Sequence, residues 1–487
     1  MTHKVAAALD RYPEYEATIG IEVHVQLKTN SKIFCSCPNQ FGDTPNKNIC
    51  VVCTGQPGTL PVLNRKVVDS AIMAGLATNC KISKVTEFAR KHYMYPDSPK
   101  NYQITQSDRP ICKQGFVPIR LEDGSIKHIA LERIHLEEDA GKNIHATDTE
   151  SFVDLNRAGT PLIEVVSAPD IANAYEANAY LQGLRLIVQY LGISDANMEE
   201  GSFRADVNIS VKKKSAKELG TRIELKNINS FKFIGQAIEY EIERQISTLE
   251  EGGVLHQETR LWDTKLQQTA FMRSKEVAQD YRYFVDPDLP LLMIDDEWIA
   301  RMRSLLPELP FAKFERFKNE YGLTAYEADI LVSNNVLAAF YEAVVNRSHL
   351  PKQAANWILR DLLGFMNERK IDFENLKVTP DMLGELLIEI DKGVINNKTA
   401  QDVFIEMAEV GKYPSIIIQE KDLKQIGSEA ELEAIARDII EKNPTIVADY
   451  KAGNERVFAF LVGQTMKATK GKGNPKVLQD LLKKHLL

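Results

Sequence analysis

The stretch Thr18-Ile19-Gly20-Ile21-Glu22-Val23-His24-Val25-Gln26-Leu27 alternates apolar and polar residues and predicts a β-strand. Successive side chains of a strand point to opposite faces, so one face of this strand is aliphatic. The other face presents Glu22, His24 and Gln26. A carboxylate and an imidazole on one face can meet Mg²⁺ or phosphate. The stretch therefore predicts a sheet whose polar face carries chemistry.

Further runs in the first half repeat this alternation and predict strands with polar faces. These faces hold Arg204, Asp206, Asn208 and Ser210 within Phe203 to Val211, Arg222, Glu224 and Lys226 within Thr221 to Lys226, and Arg133, His135 and Glu137 within Leu131 to Glu137. A solvated outer face is the simplest interpretation of any single run. Because the pattern recurs, we expect a sheet whose inner face forms a charged cradle.

Glu164 lies inside the apolar run Pro161 to Val166, which predicts burial on at least one side. A buried carboxylate needs a metal, an arginine or a donor network, because an unpaired one is costly or changes its pKa. Arg157 is one candidate, as a structural partner. The other hypothesis is that Glu164 joins Glu22, His24 and Glu137 around Mg²⁺. The candidate catalytic residues are Glu22, His24, Glu137, Glu164, Asp206 and Arg157.

Two segments are suited to anions. Arg90 to Asp97 is too polar for a core strand and predicts a binding loop. Cations and tyrosines in Arg273 to Tyr283 could hold phosphate and stack on a base, although salt bridges with Glu276 and Asp280 explain them equally well. No G-x-x-x-x-G-K-[ST] or G-x-G-x-x-G motif occurs, so a nucleotide would be held in another way. The candidate nucleotide-binding residues are Arg90, Lys91, Arg204, Arg222, Lys226, Arg273, Lys275 and Arg282.

Four cysteines follow the first strand in the pattern C-x-C, a twelve-residue gap, and C-x-x-C. They are Cys35, Cys37, Cys50 and Cys53. This spacing predicts a small knuckle in which four thiolates bind one Zn²⁺. Four protein ligands leave no open position for a substrate, so we expect a structural zinc.

Composition is that of an ordinary soluble protein. The chain has 487 residues, 44% hydrophobic content and a formal charge of -8, which argues against a protein that coats nucleic acid through bulk positive charge. No run is long enough for a membrane helix, and Met1 to Tyr12 lacks the features of a secretory signal. Clustered cysteines without a disulfide framework also fit a reduced compartment. We therefore expect a cytoplasmic protein without membrane contact.

The pattern along the chain predicts an α+β fold with three domains. Mixed strands and helices occupy 1–293, with the knuckle at 31–62. Amphipathic helices then fill 294–410, including one over Tyr326 to Val345 and one over Lys352 to Asn367. A further helical module occupies 411–487. It is rich in lysine, and Lys467, Lys470, Lys472 and Lys476 either contact nucleic-acid phosphates or form a solvated helix face.

The run Asp154-Leu155-Asn156-Arg157-Ala158-Gly159-Thr160-Pro161-Leu162-Ile163-Glu164-Val165 resembles the signature of the aspartyl/glutamyl-tRNA amidotransferase B-subunit family. The resemblance covers nearly the whole chain. It includes Gly20 to His24, the four cysteines, Tyr95-Pro96-Asp97, His135 to Lys142, Met272 to Glu276, Asp280 to Tyr283, Gly463 to Lys467 and Gly471 to Pro475.

The resemblance implies a cradle similar to the glutamine synthetase fold, a helical domain and a YqeY-like tail that binds tRNA. It also implies a reaction in which ATP phosphorylates the side-chain carboxyl of Glu or Asp on a mischarged tRNA and ammonia then displaces the phosphate. The implied products are Gln-tRNA(Gln) and Asn-tRNA(Asn). Glutamine hydrolysis would belong to an amidase-type A subunit, and a small C subunit would complete a heterotrimer. ATP, Mg²⁺ and a structural Zn²⁺ are the implied cofactors.

Two other hypotheses stay open from the sequence. A noncatalytic zinc-knuckle scaffold that binds RNA would keep the cysteines and the tail, but would give no reason for charged faces on several strands. A free-standing ligase for a small carboxylic acid would not need the tail. The sequence leaves open whether Glu-tRNA(Gln), Asp-tRNA(Asn) or both are the substrates.

Overall fold

The computed structural model describes residues 7–145, 150–274, 281–424, 429–469, 473 and 475–486. The chain forms two compact units, Met1–Ala312 and Lys313–Leu487. The first combines strands and helices and the second is built from helices, which confirms the predicted α+β class. Lys275, Lys470 and Lys472 lie outside the described residues.

The strands belong to the first unit. They are β1 (Tyr15–Gln26), β2 (Lys81–Ile82), β3 (Val85–Thr86), β4 (Ala89–His92), β5 (Tyr102–Thr105), β6 (Cys112–Arg120), β7 (Ile126–Glu138), β8 (Lys142–His145), β9 (Ser151–Asp154), β10 (Pro161–Ser167), β11 (Phe203–Lys213), β12 (Ile223–Ile228), β13 (Glu258–Asp263), β14 (Gln268–Ser274), β15 (Phe284–Val285) and β16 (Leu292–Met293).

The helices of the first unit are α1 (Ala8–Arg11), α2 (Arg65–Ala77), α3 (Ala174–Tyr190), α4 (Phe231–Glu250), α5 (Asp296–Ser304) and the start of α6 (Pro310–Asn319). Those of the second unit are α7 (Ala325–Val332), α8 (Asn335–Ser348), α9 (Pro351–Asn356), α10 (Leu363–Arg369), α11 (Pro380–Asp391), α12 (Asn397–Val410), α13 (Pro414–Glu420), α14 (Glu429–Lys442), α15 (Pro444–Lys451), α16 (Phe458–Ala468) and α17 (Pro475–Leu486), with a π-helical turn at Trp357–Leu362 and a 3₁₀ turn at Glu455–Val457.

One large sheet organises the first unit. Among the described residues it has the order β14-β13-β12-β11-β1-β10-β7-β5-β4-β15, and β6 with β2 branches from β7. β1 lies between β10 and β11, and both pairings are antiparallel. The predicted alternation of β1 is confirmed, since Ile21 and Val23 are buried while Glu22 and His24 are partly accessible. The register places His24 opposite both Glu164 and Arg204.

The aliphatic face of the sheet forms the main core with α2, α3 and α4. Asn173 and Ser230 cap the N-termini of α3 and α4 by accepting hydrogen bonds from backbone N–H groups, as such side chains commonly do. Each helix ends two residues before a glycine with positive φ, Gly192 for α3 and Gly252 for α4. Because helices cover the apolar face, the charged residues are left on the opposite face of the sheet.

The first unit extends beyond residue 293. Met302 of α5 lies in the same core as the sheet, and Trp298 packs against that core. In the second unit α13 packs against α11 and α12, whereas Leu432, Leu461 and Leu482 belong to a separate small core. The predicted domain bounds of 293 and 410 stay a prediction.

Two predicted helices of the second unit differ from the structure. The single helix over Tyr326 to Val345 is wrong: it is two helices, because the Asn334 side chain accepts hydrogen bonds from the N–H groups of Val336 and Leu337 and starts α8. The Lys352 to Asn367 helix is continuous but contains the π-helical turn.

Within the described residues no single helix is long and apolar enough to cross a membrane. Helices α7 and α8 together have the length and apolar content of a span, but the pair is bent by 116°.

Candidate active site

Three strands bring a glutamate and two histidines together on the polar face of the sheet. Glu164 on β10 is the register partner of His24 on β1 and of His135 on β7. Its Oε2 atom lies 3.3 Å from His24 Nε2 and 3.3 Å from His135 Nε2. Glu137, two residues after His135 on β7, points to the same place, and ligand atoms of His24, Glu137 and Glu164 all lie within 4.8 Å of one another. We call His24, Glu137 and Glu164 the acid–imidazole centre.

Strong mutual charges act within this centre. Burial alone would lower the pKa of His135, but Glu164 and Glu137 outweigh burial and raise that pKa to about 9. Burial likewise opposes the shift at Glu164, yet the two imidazoles hold the pKa of this carboxyl well below its usual range. The buried groups Glu137, Glu164 and His135 and the partly accessible His24 are therefore held as a charged cluster. Such a donor set can accept a cation once His24 gives up its proton, because only the neutral imidazole nitrogen binds a metal.

Lys91 and Gln103 complete the surroundings of Glu137. Lys91 Nζ lies 3.6 Å from Glu137 Oε2, and the side-chain amide of Gln103 donates to Glu137 Oε1 at 3.3 Å. Burial would lower the pKa of Lys91, but Glu137 and Glu164 outweigh it, so the lysine stays charged. The ammonium group also lies 5.4 Å from the ring centroid of Tyr281. A cation is thus fixed beside the acid–imidazole centre.

A second charged cluster surrounds Asp139, directly after β7. Its Oδ2 atom accepts hydrogen bonds from Arg204 and from Gln26, each at 2.8 Å. Arg157 Nε lies 3.7 Å from the same oxygen, and the guanidinium donates to the carbonyl oxygens of Ala140 and Gly141. Burial raises the pKa of Asp139, but the two guanidinium groups outweigh it and lower that pKa. The proposed pairing of Arg157 with Glu164 is therefore wrong.

Glu22 and Asp206 lie on the same face but have partners of their own. Asn208 donates a hydrogen bond of 3.1 Å to Glu22 Oε1. Burial and the charge of Glu164 raise the pKa of Glu22. Asp206 pairs with Lys226 of β12. Glu22 does not join the three residues of the acid–imidazole centre.

These clusters open onto a cavity of about 880 Å³. Four of the predicted catalytic residues line this cavity: His24, Glu137, Arg157 and Asp206. The cations in its lining are Lys28, Lys91, Lys142, Arg157, Arg204 and Lys226. The same lining also holds nine acidic residues, and the cations among them can bind the phosphates of a polyanionic ligand.

The four cysteines also meet in space. One ligand atom from each of Cys35, Cys37, Cys50 and Cys53 lies within 4.8 Å of the others, so the group can hold a metal ion. The N–H of Cys50 donates to Cys53 Sγ at 3.2 Å, and Lys32 Nζ lies 3.8 Å from the same sulfur.

The loop before β10 joins this cysteine group to the cavity. The Gly159 carbonyl accepts from the N–H of Ile33, and the Gly159 N–H donates to the carbonyl of Asp139. Gly159 has a φ of +81°, which favours glycine. The Asn156 side chain accepts from the N–H of Asn48 at 2.8 Å. The same short loop thus positions Arg157 and braces the cysteine segment.

Two protein-family models match this chain. The GatB/GatE catalytic domain matches residues 17–300, and the GatB domain matches residues 339–486. This chain belongs to the GatB/GatE family.

Curated members of the family are similar over almost their whole length. The B subunit of the aspartyl/glutamyl-tRNA(Asn/Gln) amidotransferase of Carboxydothermus hydrogenoformans is 51% identical over 477 residues, covering 97% of this chain and 99% of its own. The protein of the same name from Geotalea daltonii is 52% identical with the same coverage. That from Persephonella marina is 50% identical over 475 residues, covering 96% of this chain and 100% of its own.

Other predicted nucleotide-binding residues lie outside the cavity lining. Arg90 pairs with Asp286 at 2.9 Å and with Asp288 at 2.7 Å. Arg222 is exposed and precedes β12. Arg273 is exposed on β14, at one end of the sheet order. Arg282 precedes β15, which lies at the opposite end. In the tail, Lys467 on α16 and Lys476 on α17 are exposed.

Two residues of this site were absent from the candidate catalytic residues, although alternation had placed His135 on a polar strand face. His135 contacts Glu164 directly and Asp139 organises the arginines, yet neither was a candidate. His135 could have been found, because it alternates with Glu137 on the same strand face. Asp139 lies after the end of β7, where strand alternation no longer predicts to which side a side chain points. Only the fold reveals its role.

Proposed function

We propose that this chain is the B subunit of a glutamine-dependent tRNA amidotransferase that converts Glu-tRNA(Gln), Asp-tRNA(Asn) or both to the amidated forms. The observation that carries the proposal is the acid–imidazole centre on the wall of a cavity lined by cations, in a chain similar over its whole length to proteins of that name. A carboxylate becomes an electrophile only after one oxygen is made a leaving group. ATP supplies that leaving group as phosphate.

The residues present fit Mg²⁺. His24, Glu137 and Glu164 offer two carboxylate oxygens and one imidazole nitrogen, and close carboxylates are stabilised by a cation between them. When bound, Mg²⁺ would neutralise charge on phosphate oxygens. His135, whose Nε2 atom contacts Oε2 of Glu164 at 3.3 Å, would help to hold that carboxylate in position. Glu22 would act from a greater distance, through its charge.

The cations of the cavity have a role in each half of the reaction. Lys91, Arg204 and Lys226 are fixed by carboxylates, so they are already oriented when a polyanion enters. We assign them to the phosphates of ATP and to the carboxylate being activated. Arg157 holds the backbone beside Asp139, and Asp206 orients Lys226. In transfer to the carboxylate, the γ-phosphoryl leaves ADP, and ammonia then displaces phosphate to give the amide.

The remaining assignments follow from the same proposal. Ammonia comes from an amidase-type A subunit, a small C subunit completes the heterotrimer, and the complex acts in the cytoplasm. The first unit corresponds to a cradle similar to the glutamine synthetase fold, with domains at 1–293, 294–410 and 411–487. The four cysteines hold a structural Zn²⁺, and Lys467, Lys470, Lys472 and Lys476 contact tRNA phosphates.

The test uses the complete complex with ammonium chloride in place of glutamine, which bypasses the glutaminase. Mischarged tRNA is supplied with and without ATP, and the amino acid released from the tRNA is analysed. The proposal predicts amide only with ATP, with one ADP formed for each amide. ATP-independent amide, or no amide although the complex binds the tRNA, would contradict it.

A further inference from the structure

Most acids in the cavity lining, like Glu164 beside it, already have a cation or donor next to them. Glu164 contacts two histidines, and Glu137 contacts Lys91. Asp139 accepts from Arg204, and Asp206 pairs with Lys226. These carboxylates hold the neighbouring lysine, arginine and histidine side chains in place. None of these carboxylates could bind a cationic group of the substrate without losing its present partner.

Asp97 differs from these acids. It lines the same cavity, and its Oδ1 atom is buried without a hydrogen-bond partner among the residues that the structure describes. Burial raises the pKa of Asp97, and the nearby Arg157 guanidinium offsets only part of that rise. A buried carboxylate oxygen without a donor is unfavourable, so the site gains free energy when a donor arrives.

The loop that carries Asp97 is held in place. Its carbonyl accepts from the N–H of Gly141 at 2.8 Å, and the Ser98 N–H donates to the Tyr95 carbonyl. Arg157 donates to the carbonyl of the same Gly141 at 2.7 Å. The carboxylate is therefore fixed on a braced turn beside the Asp139 cluster. Such a preorganised group can position a ligand at low entropic cost.

Tyr93 lines the same cavity as Asp97 and as Glu137 of the acid–imidazole centre. Burial raises its pKa. One cavity thus contains both acids. A ligand that places one group at Glu137 can place a second, cationic group near Asp97.

The proposed substrates contain one cationic group. Their side-chain carboxylate and the ATP phosphates are anions that suit the lysines and arginines, whereas the aminoacyl ester carries a free α-ammonium group. We propose that Asp97 binds this α-ammonium group and so selects an aminoacyl ester over other carboxylates. The inference rests on the proposed function and names a recognition residue within that site.

The test compares two substrates that differ only in that group. Glu-tRNA(Gln) and glutaryl-tRNA(Gln), which lacks the α-amino group, are given to the complete complex with ATP and ammonium chloride. Since a hydrogen bond to a charged group contributes about 1.5–3 kcal/mol, the wild type should prefer Glu-tRNA(Gln) by roughly 10- to 100-fold in kcat/KM. In Asp97→Asn this preference should fall to about 1, with the KM for ATP unchanged.

Glu199→Gln is the matched control, since Glu199 is an exposed acid in the same cavity lining, and it should keep the wild-type preference. If Asp97→Asn does not fold, Asp97→Ser replaces it. Equal use of both substrates by the wild type, or an undiminished preference in the variant, would overturn the inference while ATP-dependent amidation still supports the proposed function. A raised KM for ATP with the preference kept would assign Asp97 to the nucleotide and would also overturn it.

Discussion

Nε2 of His135 lies 3.3 Å from Oε2 of Glu164 on the neighbouring strand, and both side chains are buried. His24 contacts the same oxygen from the other side. Glu164 is thus held between two imidazoles, one of which, His24, belongs to the acid–imidazole centre. His135 therefore restrains this carboxylate from the neighbouring strand.

His135→Asn should therefore weaken the response to Mg²⁺. Loss of a supporting partner of a metal ligand typically costs 10- to 100-fold in metal affinity, and we expect the Mg²⁺ concentration for half-maximal amidation to rise by about that factor. His128→Asn is the control, because His128 is exposed on the same strand and stacks on Phe116. An unchanged Mg²⁺ requirement in His135→Asn would show that the support is unnecessary.

The cysteine group should bind one zinc ion for each chain. Elemental analysis of freshly purified protein should give close to one equivalent, and Cys53→Ser should lose most of it. Structural zinc contributes on the order of 10 kcal/mol to folding in small zinc modules, so chelation should make the knuckle sensitive to protease. Less than about a tenth of an equivalent in the wild-type protein would contradict a zinc site of that strength.

Lys32 should strengthen metal binding. It is 0% exposed, and its ammonium group lies 3.8 Å from Cys53 Sγ and 3.4 Å from the Leu155 carbonyl oxygen. Four thiolates around Zn²⁺ carry excess negative charge, which this buried cation offsets.

Lys32→Met should therefore release zinc to a competing chelator roughly 10-fold more readily, as expected for a supporting group. Lys47→Met, at a solvent-exposed lysine of the same segment that pairs with Asp43, should behave as wild type. Equal zinc release from the two variants would show that the charge of Lys32 has no effect on the metal.

Charge reversal in the tail should weaken tRNA binding. Lys467→Glu combined with Lys476→Glu should raise the dissociation constant and flatten its dependence on salt, because phosphate contacts release counterions. Lys442→Glu on α14, at a lysine that pairs with Asp438, is a control of equal charge change per residue. Unchanged affinity of the double variant at moderate salt would assign these lysines to a solvated helix face.

Alternation predicted the faces of β1 correctly, because its burial follows a strict period of two. It also predicted those of β11 from Phe203 to Ile209, whereas Ser210, expected on the polar face, is buried. The ends of α3 and α4 also depend on local sequence, since glycines with positive φ follow both helices. These features depend on residues near in sequence. Local chemistry was sufficient for them.

Strand register could not be read from the sequence. The pairing of Glu164 with two histidines depends on how β10 lies between β1 and β7. Arg157, one of the two partners proposed for Glu164, lies instead beside Asp139. Asp97 and Asp139 lie on loops whose direction is set by contacts with Gly141 and Thr160. Long-range packing decides such positions.

The most direct test of the account is ammonium-dependent amidation by the complete complex that carries Glu137→Gln, with Glu132→Gln as the control. Glu132 lies on the same strand, but its side chain is 52% exposed. The account predicts that Glu137→Gln loses ATP-dependent Gln-tRNA formation while keeping tRNA binding, and that Glu132→Gln stays close to wild type. Equal product from Glu137→Gln and the wild type would contradict the claim that the carboxylate is activated at this centre.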